Sequence, residues 1–165
     1  MNPFDSRWPP QTLTLMVRIE SNEVTGKDFV DWGMEALAAG FDSPALRRLA
    51  GLSPGHTPSR FDAEPQFRVA VREIGLPEVG REEILLAFMD ECAQSIVDGA
   101  ANLDQILQTI HASVIDPLDH REDLMPWCYA RGGFQSGSPE ALDEEGIRVL
   151  ARKWLDGRSS MGEGR

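Results

Sequence analysis

Sulfur, imidazole and long apolar runs are scarce in this 165-residue chain, which has 2 cysteines, 3 histidines and no apolar stretch near the roughly 20 residues of a membrane-spanning helix. A membrane span is therefore not expected. Cys92 and Cys128 lie far apart without a Cys-x-x-Cys partner, which argues against a zinc ribbon or a dithiol redox pair. Cys92 instead falls on a helical apolar stripe, where a thiol packs as a small hydrophobe. Phosphate cradles are missing too: neither Gly-x-x-x-x-Gly-Lys-Ser/Thr nor Gly-x-Gly-x-x-Gly occurs, and no βαβ pattern would hold one. No Gly-x-Ser-x-Gly elbow or reactive-cysteine context accompanies the histidines, so hydrolase chemistry has no support and no cofactor is expected. The segment Met1 to Pro10 lacks the apolar centre of a signal peptide, and the expected location is cytoplasmic.

What the chain has in excess is negative charge. There are 27 Asp and Glu against 16 Lys and Arg, a formal net charge of -11. Such a polyanion repels phosphate backbones and attracts basic proteins, which disfavours nucleic acid as a partner and favours a protein. The excess is uneven: Asp90, Glu91, Asp98, Asp104, Asp116, Asp119, Glu122 and Asp123 face a single cation, Arg121, over that stretch. Acidic helix surfaces more often serve solubility than recognition, and both readings stay open here.

A length of 165 residues suits one domain that buries roughly 70% of its unfolded surface. Helical periodicity recurs along the chain and alternating strand patterns are nearly absent, so the expected fold is all-α, a compact single-domain bundle of about seven helices. Gln11 to Ser21 reads as the first helix, although its Thr12, Thr14, Val17 and Ile19 would also suit a strand. Thr25 with Asp28 forms a capping-box start for a stripe of Phe29, Val30, Gly33, Met34 and Leu37 that Gly40 ends. Ser43 and Pro44 launch a short helix ended by Gly51, and Gly51 to Arg60 reads as a loop. Asp62 is the expected cap of a helix burying Phe67, Ala70, Val71 and Ile74.

Arg81 to Val97 follows, with Leu85, Phe88, Met89, Cys92 and Ile96 inward; Asn102 then caps the cleanest stripe, Leu103, Ile106, Leu107, Ile110 and Val114. Pro117 and Pro126 allow at most two turns between them, and Gly132, Gly133 and Gly137 suggest a loop. A last helix is expected from Ser138 and Pro139, with Leu142, Val149, Leu150 and Trp154 inward, to Gly157. The helical domain is thus expected over 1–157 and a disordered tail over 158–165.

The densest titratable cluster is Asp116, Asp119, His120, Glu122 and Asp123. Helical metal sites present ligands three or four residues apart, and only Asp116, Asp119, His120 and Asp123 approach that spacing, with Pro117 interrupting it. A solvated acidic turn is the expected reading, with no metal ligand and no catalytic residue assigned. His111 sits one position off its helix's stripe and His56 lies in a Gly/Pro loop without an adjacent acid. Trp8 and Trp127 lie beside prolines; Trp32 and Trp154 belong on core stripes, whereas Trp127, just after the acidic turn, is a candidate partner anchor. The candidate partner-binding residues are Asp116, Asp119, Glu122, Asp123 and Trp127.

Trp8-Pro9, Phe29-Val30-Asp31-Trp32-Gly33, Gly40 to Leu52 and Asp98-Gly99 together resemble a group of small bacterial all-helical proteins of unknown function. The resemblance spans about the first hundred residues and rests on the block Asp42-Ser43-x-x-Leu46-x-x-Leu49-Ala50-Gly51-Leu52. It implies a helical fold and carries over no catalytic residue.

The function expected from all this is a non-enzymatic acidic protein-interaction module that neutralises or regulates a basic partner, as immunity and antitoxin proteins do. One alternative is a helix-turn-helix regulator using residues 43–60, which lacks a basic recognition helix. Another is a metal-dependent enzyme using the Asp116 to Asp123 cluster. Composition leaves the oligomeric state open.

Overall fold

The structure is a computed structural model describing residues 7–52, 58–136 and 142–162, with side chains at all of these except 131–136 and 159–162. Every regular element among the described residues is helical, and none is a strand. The order is α1 (Thr12–Glu20), α2 (Gly26–Ala38), α3 (Pro44–Ala50), α4 (Arg60–Glu73), α5 (Arg81–Val97), α6 (Leu103–Ile110), a π turn (His111–Ile115), a 3-10 turn (Glu122–Leu124), α7 (Met125–Ser136) and α8 (Glu144–Gly162). The fold is all-α, as the periodicity requires. Its contacts divide into two compact units, Pro3–Arg81 and Glu82–Arg165.

In the first unit α2, α3 and α4 pack mutually and α1 lies on α2. The ambiguous segment at α1 is a helix because it buries two of its sides: Leu13, Leu15, Val17 and Ile19 are all buried. Thr12 links it to α2. Its hydroxyl donates to the Pro9 carbonyl at 2.6 Å and accepts from Trp32 Nε1 at 2.9 Å, all in the interior. Thr12→Val keeps the shape but leaves the indole N–H and the carbonyl without that partner, so it should cost about 1–3 kcal/mol in urea unfolding, whereas Thr12→Ser should retain most of the stability. A valine variant as stable as the parent removes this account.

The capping box at Thr25 is present, with the Thr25 amide and hydroxyl each 2.7 Å from Asp28 Oδ2. Burial opposes ionisation of Asp28, but the Thr25 bonds and the nearby Arg18 outweigh it and hold the carboxyl below the usual aspartate range. Ser43 Oγ accepts from the Leu46 amide at 3.1 Å, Pro44 takes the first helical position, and Leu46 and Leu49 are fully enclosed. Glu73 fastens α4 to α3 by accepting from the Ala45 amide at 2.8 Å. Phe67 of α4 packs against Phe29 and edge-on against Trp32, with centroids at 5.4 Å and 4.8 Å.

Local expectations need correction in this unit. Met34 points outward, 57% exposed, because Trp32 and Ala36 take the interior beside Phe29 and Val30. The α4 cap is Ser59, whose hydroxyl accepts from the Asp62 amide, so the helix starts at Arg60 and not after Asp62. Residues 53–57, with His56, lie outside the described residues.

In the second unit α6 packs on α7 and on the π turn, and α7 also touches the π and 3-10 turns. Leu85, Met89, Ile96, Leu107, Ile110, Val114, Ile115, Leu124, Trp127 and Ile147 are buried here. Phe88 and Cys92 are only partly enclosed, although burial, with a smaller push from Glu91, raises the Cys92 thiol to about 12, as befits an inert packing thiol. The clean α6 stripe keeps Val114 buried, but the backbone widens into the π turn before reaching it.

α7 overrides the expected loop and runs through Gly132 and Gly133 to Ser136; Gly137 lies outside the described residues. Each glycine costs about 1 kcal/mol in a helix, and burial of Trp127 and Ala130 offsets it. Pro126 is the second residue of α7, where a missing N–H costs no helical bond. Similarly, α8 continues past Gly157 to Gly162, so residues 158–162 are helical where a disordered tail was expected; 163–165, with the expected start at Ser138 and Pro139, lie outside the described residues. Asp90 explains the extension: it accepts from Trp154 Nε1 at 2.7 Å and pairs with Arg158 at 3.3 Å. The buried face of α8 is Ile147 and Ala151; Leu142 and Val149 are each 38% exposed and Trp154 is half-buried, contrary to the expected stripe.

Candidate functional site

Hydrophobic anchoring of the segment between α6 and α7 decides how its polar residues are displayed. Val114, Ile115 and Leu124 are fully buried and hold the backbone at both ends of the acidic turn. The chain enters this turn through the π turn His111–Ile115, with the Asp116 amide donating to the His111 carbonyl at 3.0 Å. Asp119 and His120 then both take left-handed backbone, φ 53 each, and the His120 amide returns to the Ile115 carbonyl at 3.1 Å. Left-handed backbone is tolerated best by Asn, Asp and His among residues with a Cβ, which suits the pair found here.

The result is a convergence that spacing alone does not show. His111 Nδ1 lies 3.3 Å from Asp116 Oδ1, and His120 Nε2 lies 3.5 Å from the same oxygen. The two imidazoles meet edge to face with centroids 5.9 Å apart. One ligand atom from each of the three residues falls within 4.8 Å of the other two, and no other group of three His, Cys, Asp or Glu among the described residues does so. His111, the histidine that periodicity set aside, is thus recruited, and the widened π turn is what aligns it with the residue five positions on. Of Asp116, Asp119, His120 and Asp123, the four whose spacing approaches that of a helical metal site, only Asp116 and His120 take part in this group.

The remaining acids have other fates. Arg121 donates from Nε and Nη2 to the two Asp123 oxygens at 3.0 Å and 2.7 Å, and from Nη1 to Glu82 Oε1. These carboxylates, Asp123 foremost, raise the Arg121 guanidinium further against the smaller effect of burial. Asp119 and Glu122 are exposed and have no Lys or Arg partner among the described residues. Trp127 is 1% exposed, so the expected surface anchor is a core residue; the exposed aromatic of that helix is Tyr129, at 72%. Cys128 is partly enclosed, and burial first, then the Asp116 charge, raises its thiol. Of the five candidate partner-binding residues, Asp116, Asp119, Glu122 and Asp123 are exposed, Asp123 being paired with Arg121, and Trp127 is buried.

In the block from Asp42 to Leu52, Leu46 and Leu49 of α3 are spent on the core and Arg47 pairs with Asp42, while Arg60 and Arg68 of the following helix both pair with Glu64. No helix among the described residues is long and apolar enough to cross a membrane. Comparison with protein-family models, curated proteins and solved structures finds no match for this chain.

Proposed function

We propose that the chain is a non-enzymatic acidic protein-interaction module that binds, and so neutralises or regulates, a basic protein partner. The observation that supports this is the state of the acidic turn. Its one cation, Arg121, is spent internally on Asp123 and Glu82, which leaves Asp116, Asp119 and Glu122 as exposed carboxylates on a backbone held by buried Val114, Ile115 and Leu124. Carboxylates without intramolecular cations keep their full field toward solvent, and a rigid support lowers the ordering cost of recruiting them.

The test is capture of partners by the immobilised full chain, compared with the double variant Asp119→Lys/Glu122→Lys. A basic protein should be retained at low salt and released by roughly 0.5 M salt, where screening reaches a few ångströms, and the variant should lose it. Retention that ignores both salt and charge reversal defeats the proposal, as does failure to retain any basic protein.

A further inference from the structure

We infer that His111, Asp116 and His120 form a binding site for a divalent transition-metal ion of the zinc, cobalt and nickel class. Four coordinate bonds of about 2.0–2.1 Å arranged tetrahedrally place neighbouring ligand atoms about 3.3 Å apart. The two edges that meet at Asp116 Oδ1 measure 3.3 Å and 3.5 Å, so two of the three edges already have that length before any ion enters. The third, between the imidazole nitrogens, is no longer than 4.8 Å and closes by a side-chain rotation. Two imidazoles and one carboxylate are a borderline donor set, which favours these ions over calcium or magnesium, whose shells are built from oxygen.

The surroundings agree with a bound cation. Asp116 and His120 are about half exposed and His111 is 24% exposed, so an ion reaches the site from solvent and keeps at least one position for water or an incoming ligand. Asp119 and Glu122, exposed and without cationic partners, add an attractive field. The left-handed pair Asp119 and His120 is what turns the second imidazole back toward the first. The ligands come from one short segment between α6 and α7, so the site needs no rearrangement of helices to assemble. The site shares Asp116 with the protein-interaction proposal, but its test reads metal affinity through His111 and His120, which that proposal does not use.

Isothermal titration of the metal-free full chain with zinc, repeated with cobalt followed by its visible spectrum, tests this. One ion should bind per chain, and the cobalt form should show the intense visible bands of a low-coordinate site. His120→Gln and His111→Gln should each weaken zinc at least tenfold, while His56→Gln, outside the triad, should leave the affinity unchanged. Glu122→Gln, which removes only field, should change it less than threefold. His120 is exposed, so its variant remains informative even if His111→Gln disturbs the π turn; unchanged helical circular dichroism identifies the variants to be compared. Absence of stoichiometric binding overturns the inference, and so does binding that survives in His120→Gln or is lost in His56→Gln.

Discussion

Trp127→Ala is expected to destabilise the second unit by about 3–5 kcal/mol, the usual cost of removing a large aromatic from a closed interior. Trp127 is 1% exposed and lies on the first turn of α7, the helix that packs against α6 and both turns around the acidic segment. The measurement is urea unfolding followed by circular dichroism at the helical band, since the substitution removes one of the 4 tryptophans that fluorescence would follow. Tyr129→Ala, two residues on and 72% exposed, is the control and should change stability by no more than about 0.5 kcal/mol. Equal losses from the two variants would refute the burial of Trp127. The contrast also separates packing from recognition, because a lost partner after Trp127→Ala follows from a damaged support and says nothing of contact.

Gly26→Ala should be equally severe, and from a residue with no charge or side chain to attract notice. Gly26 opens α2, and a Cβ there would run into the Pro58 carbonyl oxygen, with the Pro58 carbonyl carbon at 2.6 Å and the Ser59 carbonyl carbon at 2.9 Å. All three are backbone atoms, and they lie where Ser59 caps α4, so relief requires moving the start of one helix away from the start of another. Overpacking against flexible side chains costs about 1–3 kcal/mol; with backbone on the far side the expected loss exceeds about 3 kcal/mol. Gly157→Ala, which meets nothing within 4 Å in the middle of α8, should instead be neutral or mildly stabilising. Thermal unfolding of the two alanine variants beside the parent distinguishes them, and a Gly26→Ala protein that unfolds at the parent's temperature removes the close approach as a real constraint.

Particular residues show how far the candidate site was legible in sequence. Asp116 and His120 stand four apart and were already grouped as potential ligands, because that spacing is a helical face. His111 was not grouped with them, since on an unbroken α-helix it sits beside the Ile110 stripe and points away from a residue five positions later. A π turn and two left-handed residues abolish that regular geometry, and neither announces itself in composition. Asp123 looked as available as Asp119, and only Arg121's approach to both Asp123 and Glu82, 39 residues apart from each other in the case of Arg121 and Glu82, decides that one is neutralised and the other displayed.

The same boundary runs through the fold. Amino-acid order by itself determined what depends on near neighbours: helices in place of strands, the Ser43 cap with Pro44, the Thr25 and Asp28 box, the turn at Gly40 with its φ of 91, and a surface dominated by carboxylates. These are local because capping bonds, left-handed glycine and apolar period all act within one or two turns. Tertiary structure alone decided that α7 crosses Gly132 and Gly133, that α8 outlasts Gly157, that Trp127 is interior and that His111 meets Asp116 and His120. The first three are settled by burial or by a partner far away in the chain, Asp90 for Arg158 being the plainest case, and such energies outweigh propensities of about 1 kcal/mol that sequence patterns report; the last follows from the π turn and the left-handed pair Asp119 and His120.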